Sequence, residues 1–176
     1  MRTVILLLLL LPSLAVAKDI YLGVKVGDSR LPDLQKQIPL NTHDIFDANG
    51  AYGVFAGYQL LDWLSLEGGY NSLAKALLND GAAGNYKVGG IEMAAMLHYP
   101  NINEHHVFAR LGQIHYEWQS NGTEFNLNDK GWGDVWGFGG AYIITADVST
   151  RLEYQVYPDL NKQQLRLLSL SVVYRF

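Results

Sequence analysis

The sequence predicts an all-β protein, an eight-stranded antiparallel up-and-down transmembrane β-barrel. Three observations predict it. Eight stretches alternate apolar with polar or small residues at the period of two that an extended chain imposes. The connections between them run long, short, long, short, long, short and moderate, the spacing of a barrel with long outer loops and tight periplasmic turns. The carboxyl end, Leu165 to Phe176, reads LRLLSLSVVYRF and stops on an aromatic residue. A water-soluble domain would leave such a strand as a frayed, unpaired edge, whereas a closed barrel in a membrane pairs it on both sides.

Ahead of the first strand, the chain starts Met1-Arg2, runs apolar from Val4 to Leu11, breaks at Pro12-Ser13 and reaches Ala15-Val16-Ala17. A basic start, a short apolar run and a small-x-small site make a secretory signal peptide over residues 1–17, cleaved after Ala17. The run is too short for a membrane anchor. Of 176 residues, removing 17 leaves 159, one domain's worth, as the barrel of residues 18–176. There is no cysteine, so the exported product is not a disulfide scaffold. Of 13 basic residues the signal peptide takes only Arg2, leaving 12 against 17 acidic and a net charge of −5, a balance that does not point to nucleic acid as a partner. The remaining chain has no apolar run long enough to cross a bilayer as a helix, so a spanning structure must use strands.

The first strand is Ile20 to Gly27, with Ile20, Leu22, Val24 and Val26 against Tyr21, Gly23, Lys25 and Gly27. Residues 28–50, with Pro32 and Pro39, read as a long loop. The second strand, Ala51 to Leu60, sets Tyr52, Val54, Ala56 and Tyr58 against Gly53, Phe55, Gly57 and Gln59. A tight reversal at Leu61-Asp62 leads into the third, Trp63 to Ser72. Residues 71–85 read as a second long connection with room for a helical turn. The fourth strand, Tyr86 to Tyr99, sets Ile91, Met93, Ala95 and Leu97 against Gly90, Glu92, Ala94 and His98. After a turn at 100–106, Val107 to Gln119 is the fifth strand, and 120–131 is a polar loop. Trp132 to Ile144 is the sixth, Thr150 to Tyr157 the seventh, and Pro158 to Gln164 links to the last. An even strand count puts both chain ends on one side, the periplasmic one.

The mid-strand charges decide which face meets lipid. Lys25, Glu67, Glu92, Arg110, Arg151, Glu153 and Arg175 all lie on the face opposite the more apolar residues. An Arg or Lys facing the bilayer midplane costs about 2–4 kcal/mol, so these seven point inward, where they pair as a lumen charge network. An eight-stranded barrel has an interior only wide enough for side chains to fill, which suits the interleaved glycines. A soluble barrel of the lipocalin kind would instead turn its charges outward and hold all the leucines, valines and tyrosines inside. Trp63, Tyr99, Trp118, Trp136, Tyr142 and Phe176, near strand ends, are expected in interfacial girdles.

TRLEYQ at 150–155 and LSLSVVYRF at 168–176, with GYQLLDWLSLEGGYNSL at 57–73 and ARLGQIHYEW at 109–118, resemble the transmembrane domain of the outer membrane protein A (OmpA) family. The resemblance spans essentially the whole mature chain. It implies an outer-membrane barrel with a charge-paired interior, Glu67, Arg110, Arg151 and Glu153 matching inward residues of the family. Tyr174 and Phe176 match the terminal signal read by the barrel assembly machinery. Family members with a gated interior carry a lysine on the fourth strand and a glutamate on the sixth, where this chain has Met96 and Ala141, so the gate is not expected here. The family's periplasmic peptidoglycan-binding domain does not follow the barrel in this sequence, and no cell-wall tether is inferred.

Catalysis of the kind some eight-stranded barrels perform on lipid A would resemble a His-x-Ser pair with an acid. His98 is followed by Tyr99-Pro100 and His115 by Tyr116-Glu117, so neither fits. Glu104-His105-His106 in a turn, and His43 with Asp44 and Asp47 in the first loop, lack the three or four convergent ligands a metal needs. The glycines from Gly131 to Gly140 lack dinucleotide-loop spacing and fit a glycine-aromatic strand. Asn121-Gly122-Thr123 reads as a turn. The expectation is a monomeric outer-membrane barrel, non-catalytic and without cofactor, with a structural or surface-interaction role through its loops. Its partners would be lipid, lipopolysaccharide and, during biogenesis, the assembly machinery. A narrow solute pore and a lipid A-modifying enzyme are the alternatives.

Overall fold

The computed structural model describes residues 20–30, 50–78, 84–100, 105–122, 128–160 and 163–176. The signal peptide, most of the first loop with His43, Asp44 and Asp47, and Glu104 lie outside the described residues. Eight strands follow one another: β1 (Ile20–Arg30), β2 (Gly50–Leu61), β3 (Leu64–Leu78), β4 (Gly84–Pro100), β5 (His105–Gly122), β6 (Asn128–Ile143), β7 (Val148–Leu160) and β8 (Gln163–Arg175). Each pairs antiparallel with its neighbours, and β1 closes on β8 from Tyr21↔Arg175 to Arg30↔Arg166. The Phe176 amide donates to the Ile20 carbonyl at 3.0 Å, so both ends of the barrel segment meet at one rim.

The short turns share that rim. Asp62-Trp63 reverses β2 into β3, and the Trp63 carbonyl accepts from the His98 amide at 2.8 Å. Residues 144–147 reverse β6 into β7, where the Val148 amide donates to Thr145 Oγ1 at 3.1 Å. The period of two then sorts the side chains. Leu22, Val24, Val26, Tyr52, Val54, Leu66, Ile91, Met93, Leu111, Phe138, Leu152, Leu170 and Val172 all face outward and are exposed, forming an apolar belt. On its inner face β1 buries Tyr21 and Lys25, and β8 buries Ser169, Ser171 and Val173. No helix among the described residues could cross a membrane, and the belt is carried wholly by strands.

Several strands outrun their expected ends. The expected connection over 71–85 is occupied by β3 as far as Leu78 and by β4 from Gly84, without a helical turn among the described residues. Likewise β5 reaches Gly122 and β6 starts at Asn128 within the expected loop 120–131. His105 and His106 belong to β5 instead of the turn before it, and β7 and β8 take up Pro158–Leu160 and Gln163-Gln164. The cause is on the inner face: Leu73, Val88, Ile114 and Trp118 remain buried above the belt, so pairing continues to be rewarded where lipid ends.

Replacing Val24, which pairs with Val54 and Val172 in mid-belt, by arginine is expected to cost about 2–4 kcal/mol of folding free energy. Denaturant titration of the protein folded into vesicles measures this; a loss under about 0.5 kcal/mol, the size of an ordinary surface change, would contradict the belt assignment.

Candidate functional site

The lumen is filled in three layers. At the rim with the short turns, glycine opposite an aromatic residue sets the packing: Gly57 faces Tyr21 and Gly23 faces Phe55 across the β1–β2 ladder. A Cβ on either glycine would stand inside the opposing ring, so its absence lets Tyr21 and Phe55 lie flat against the wall. Val173 packs with them, and Met96, Phe108 and Ala141 form a second apolar group across the barrel. The positions where the family resemblance sets a gating lysine and glutamate therefore hold apolar packing.

Charges occupy the middle layer. Arg110 on β5 spreads its guanidinium over three carboxylates: Nε donates to Glu153 at 2.5 Å, Nη1 to Glu92 at 2.8 Å, and Nη2 to Glu67. Arg151 on β7 donates to the other oxygen of Glu67 and lies over the rings of Tyr21, Phe55 and Phe108 at 5.0, 5.5 and 5.6 Å. Lys25 reaches Gln155 at 3.2 Å, and Gln155 passes the contact to Glu92 at 3.3 Å. Asn71 and the Tyr157 hydroxyl each donate to Glu92 at 2.7 Å. Three cations thus face three anions, all buried. The planar fork of arginine suits this hub, since it offers five fixed donors.

A hydrogen-bond chain leads from this layer toward the short-turn rim. The Tyr21 hydroxyl lies 2.9 Å from both Glu67 and Ser65, Ser65 Oγ lies 2.8 Å from His98 Nε2, and the His98 and His106 rings meet edge to face at 5.2 Å. Ser65 beside His98 has the contact of a nucleophile and its base, but Ser65 is 0 % exposed, so nothing can reach it.

Above the charges lies a third layer that is apolar. Ala51, Leu73, Val88, Ile114, Tyr116, Trp118, Val135, Tyr157, Leu160, Leu165 and Leu167 form one buried cluster in the half of the lumen nearer the long connections. It packs like the interior of a soluble protein and caps the polar layer.

Six of the seven residues expected in the lumen network are buried at its middle: Lys25, Glu67, Glu92, Arg110, Arg151 and Glu153. Arg175 is not. It shares their side of its strand but stands exposed at the last residue of β8, beyond the depth at which it could join them. Its departure turns an expected surplus of positive charge into a neutral interior. Trp118, expected in an interfacial girdle, is buried in the apolar cap, whereas Trp63, Tyr99, Trp136, Tyr142 and Phe176 are exposed. Tyr174 and Phe176 pack edge to face at 5.1 Å on the outside of the short-turn rim. Asn71, Gln155, Tyr21 and Tyr157 complete the network unforeseen; the available signal was that each shares its strand face with a network charge. No group of three metal-binding side chains occurs among the described residues.

A family model described as OmpA-like transmembrane domain matches residues 15–176. Outer membrane protein A of Shigella flexneri is 35% identical over 173 residues, covering 89% of this chain and 48% of that protein. The Salmonella typhi protein of the same name is 33% identical over 172 residues with the same coverage. The chain thus spans about half the length of these relatives. Among solved structures, Neisserial surface protein A superposes with a TM-score of 0.66 at 13% identity, covering 89% of this chain and 97% of that one. The N-terminal β-barrel domain of Pseudomonas aeruginosa OprF gives 0.60 at 16% identity with the same coverage. Ail of Yersinia pestis gives 0.59 at 13%, covering 90% and 97%. These structural likenesses establish the fold alone.

Arg110→Ala removes the cation shared by three buried carboxylates and leaves Glu153 without an ion pair, while Glu67 keeps Arg151, so it is expected to destabilise the barrel by about 3–5 kcal/mol. Glu92→Gln, which keeps acceptors for Asn71 and Tyr157, is expected to lose less. Denaturant midpoints of the two variants order them, and equal losses would show that Arg110 is not the hub.

Proposed function

This chain belongs to the OmpA-like transmembrane domain family, whose proteins are bacterial outer-membrane barrels, and from that premise we propose that it acts as a closed, non-catalytic structural barrel. The reading gives it two tasks: sealing and stiffening the membrane through its packed interior, and presenting its longer connections outside the cell. Its short-turn rim, with both strand ends, faces the periplasm, and Tyr174 and Phe176 are the residues the assembly machinery reads. The barrel works as a monomer surrounded by lipid and lipopolysaccharide.

The lumen carries this proposal. A conduit needs a continuous polar path, and the apolar cap from Leu73 to Leu167 interrupts one directly above the ion pairs. The charges below the cap hold one another, leaving no wide ring of unpaired charge to draw ions through. The buried Ser65–His98 contact supports the non-catalytic reading, because a hydrolase must offer its serine to substrate.

Planar-bilayer recordings are expected to show near-zero conductance for the wild type and for Arg110→Met, since the cap stays in place in both. Steady conductance in the wild type would favour a narrow pore. Altered lipid A in cells overproducing the protein would favour an enzyme.

Orientation has its own test. A cysteine placed at Asp147, in the turn between β6 and β7, is expected to react with an impermeant maleimide only after the outer membrane is opened. Labelling of intact cells would reverse the assignment of sides.

A further inference from the structure

The outer wall of the barrel carries a groove of about 250 Å³ at the upper border of the apolar belt. Its floor is bare backbone. On the outward face of β4 the side chains run Lys87, none at Gly89, then Ile91, and the Tyr70 hydroxyl from β3 lies 3.1 Å from where a Cβ on Gly89 would stand. The β4–β5 ladder sets Gly89 opposite Glu117 and Ile91 opposite His115, so β5 supplies the other rim. At one end of the groove, Ile91 and then Met93 lead down the exposed apolar belt. At the other end the wall becomes charged.

The charges there are unevenly satisfied. Glu117 is held by Lys130 at 2.6 Å. Lys87 makes no salt bridge among the described residues and feels Glu117, across the β4–β5 ladder, only through longer-range attraction. The ring of His115 leans on Trp132 at 5.0 Å, and its Nδ1 is buried without a hydrogen-bond partner among the described residues. A buried polar atom without a partner leaves a hydrogen bond open for a bound group to make.

We propose that this groove binds the phosphate of a lipid headgroup, with the acyl chains running down the belt over Tyr70, Ile91 and Met93. Lys87 supplies the charge, the Tyr70 hydroxyl and the His115 ring supply hydrogen-bonding contacts, and Gly89 leaves backbone as the floor between them. The position favours a membrane lipid over a soluble anion, because only a lipid offers a charged head continuous with an apolar tail at this height.

The lipid would come from the outer leaflet, a statement that rests on the orientation proposed above. Binding in detergent does not depend on orientation, so the two can fail separately.

Native mass spectrometry of the folded protein in detergent, titrated with lipid A carrying its phosphates, reads the site. Lys87→Glu is expected to weaken binding on the order of tenfold, one lost charge-assisted contact turned repulsive. Arg166→Glu, at an exposed outward position of β8 on another part of the wall, is expected to leave binding unchanged, as is millimolar inorganic phosphate. Lipid A stripped of phosphate should bind wild type and Lys87→Glu alike. Heat-dependent gel migration confirms that each variant is folded. Equal weakening by both substitutions would reduce the effect to general surface charge, and displacement by inorganic phosphate would make the groove a free-anion site; either result overturns the proposal.

Discussion

A strand in hydrocarbon has no water to satisfy its backbone, so each amide and carbonyl must find a partner in the chain itself. The β1–β8 ladder meets that demand by removing the last two edges, and its register runs unbroken from Tyr21↔Arg175 to Arg30↔Arg166. Everything else in the molecule follows from having closed eight strands. Closure at this strand number leaves an interior too narrow for a water column and too wide to stay empty. The inward side chains must therefore pack as a core, and the outward ones must serve as a solvent-facing surface whose solvent is lipid.

That inversion explains why the interior is layered. Purely apolar filling would make the inner and outer faces alike, leaving little to tell one strand register from its neighbour, since a slip of one residue exchanges the two faces. A charged middle layer makes such a slip prohibitive, because it would turn Glu67, Arg110 or Glu153 into hydrocarbon. Arg110 joins β3, β4 and β7 from its place on β5, contacting the carboxylates of Glu67, Glu92 and Glu153. Burying six charges is costly, and the cost is offset only where geometry and secondary hydrogen bonds are good. Asn71, Gln155, Tyr21 and Tyr157 provide those bonds. The apolar layers above and below then keep water from competing for the pairs.

Much of this was legible in the alternation of residues, and the failures have one physical source. Parity along a strand reports which face a residue occupies but not how deep it sits. Lys25 and Arg175 have the same parity with respect to the belt; one is buried among carboxylates and the other is exposed at the rim. The same blindness to depth hid Trp118, whose place near a strand end suggested an interface while its parity pointed inward. Leu165 and Leu167 share a face with Ser169 and Ser171, so the last strand already carried both the cap and the polar layer in sequence. The strands run past the ends their polar residues predict, because β3 to β6 continue beyond the belt for as long as their inner faces have apolar surface to bury.

The extension of β3 to β6 has a further consequence for the wall itself. These four strands are 15, 17, 18 and 16 residues long, while β1, β2, β7 and β8 have 11 to 13. Over the described residues one side of the barrel is thus built of longer strands, and its Gly89-Gly90 step lies where that side leaves the belt. Gly90 faces Tyr116 across the ladder, toward the cap, while Gly89 opens to the groove. A side chain at Gly89 would meet the Asn71 backbone, and one at Gly90 the His115 backbone, so neither position can be thickened without moving a neighbouring strand. The wall is therefore held thin at one height, with an apolar cap on its inner side and a recess of about 250 Å³ on its outer side.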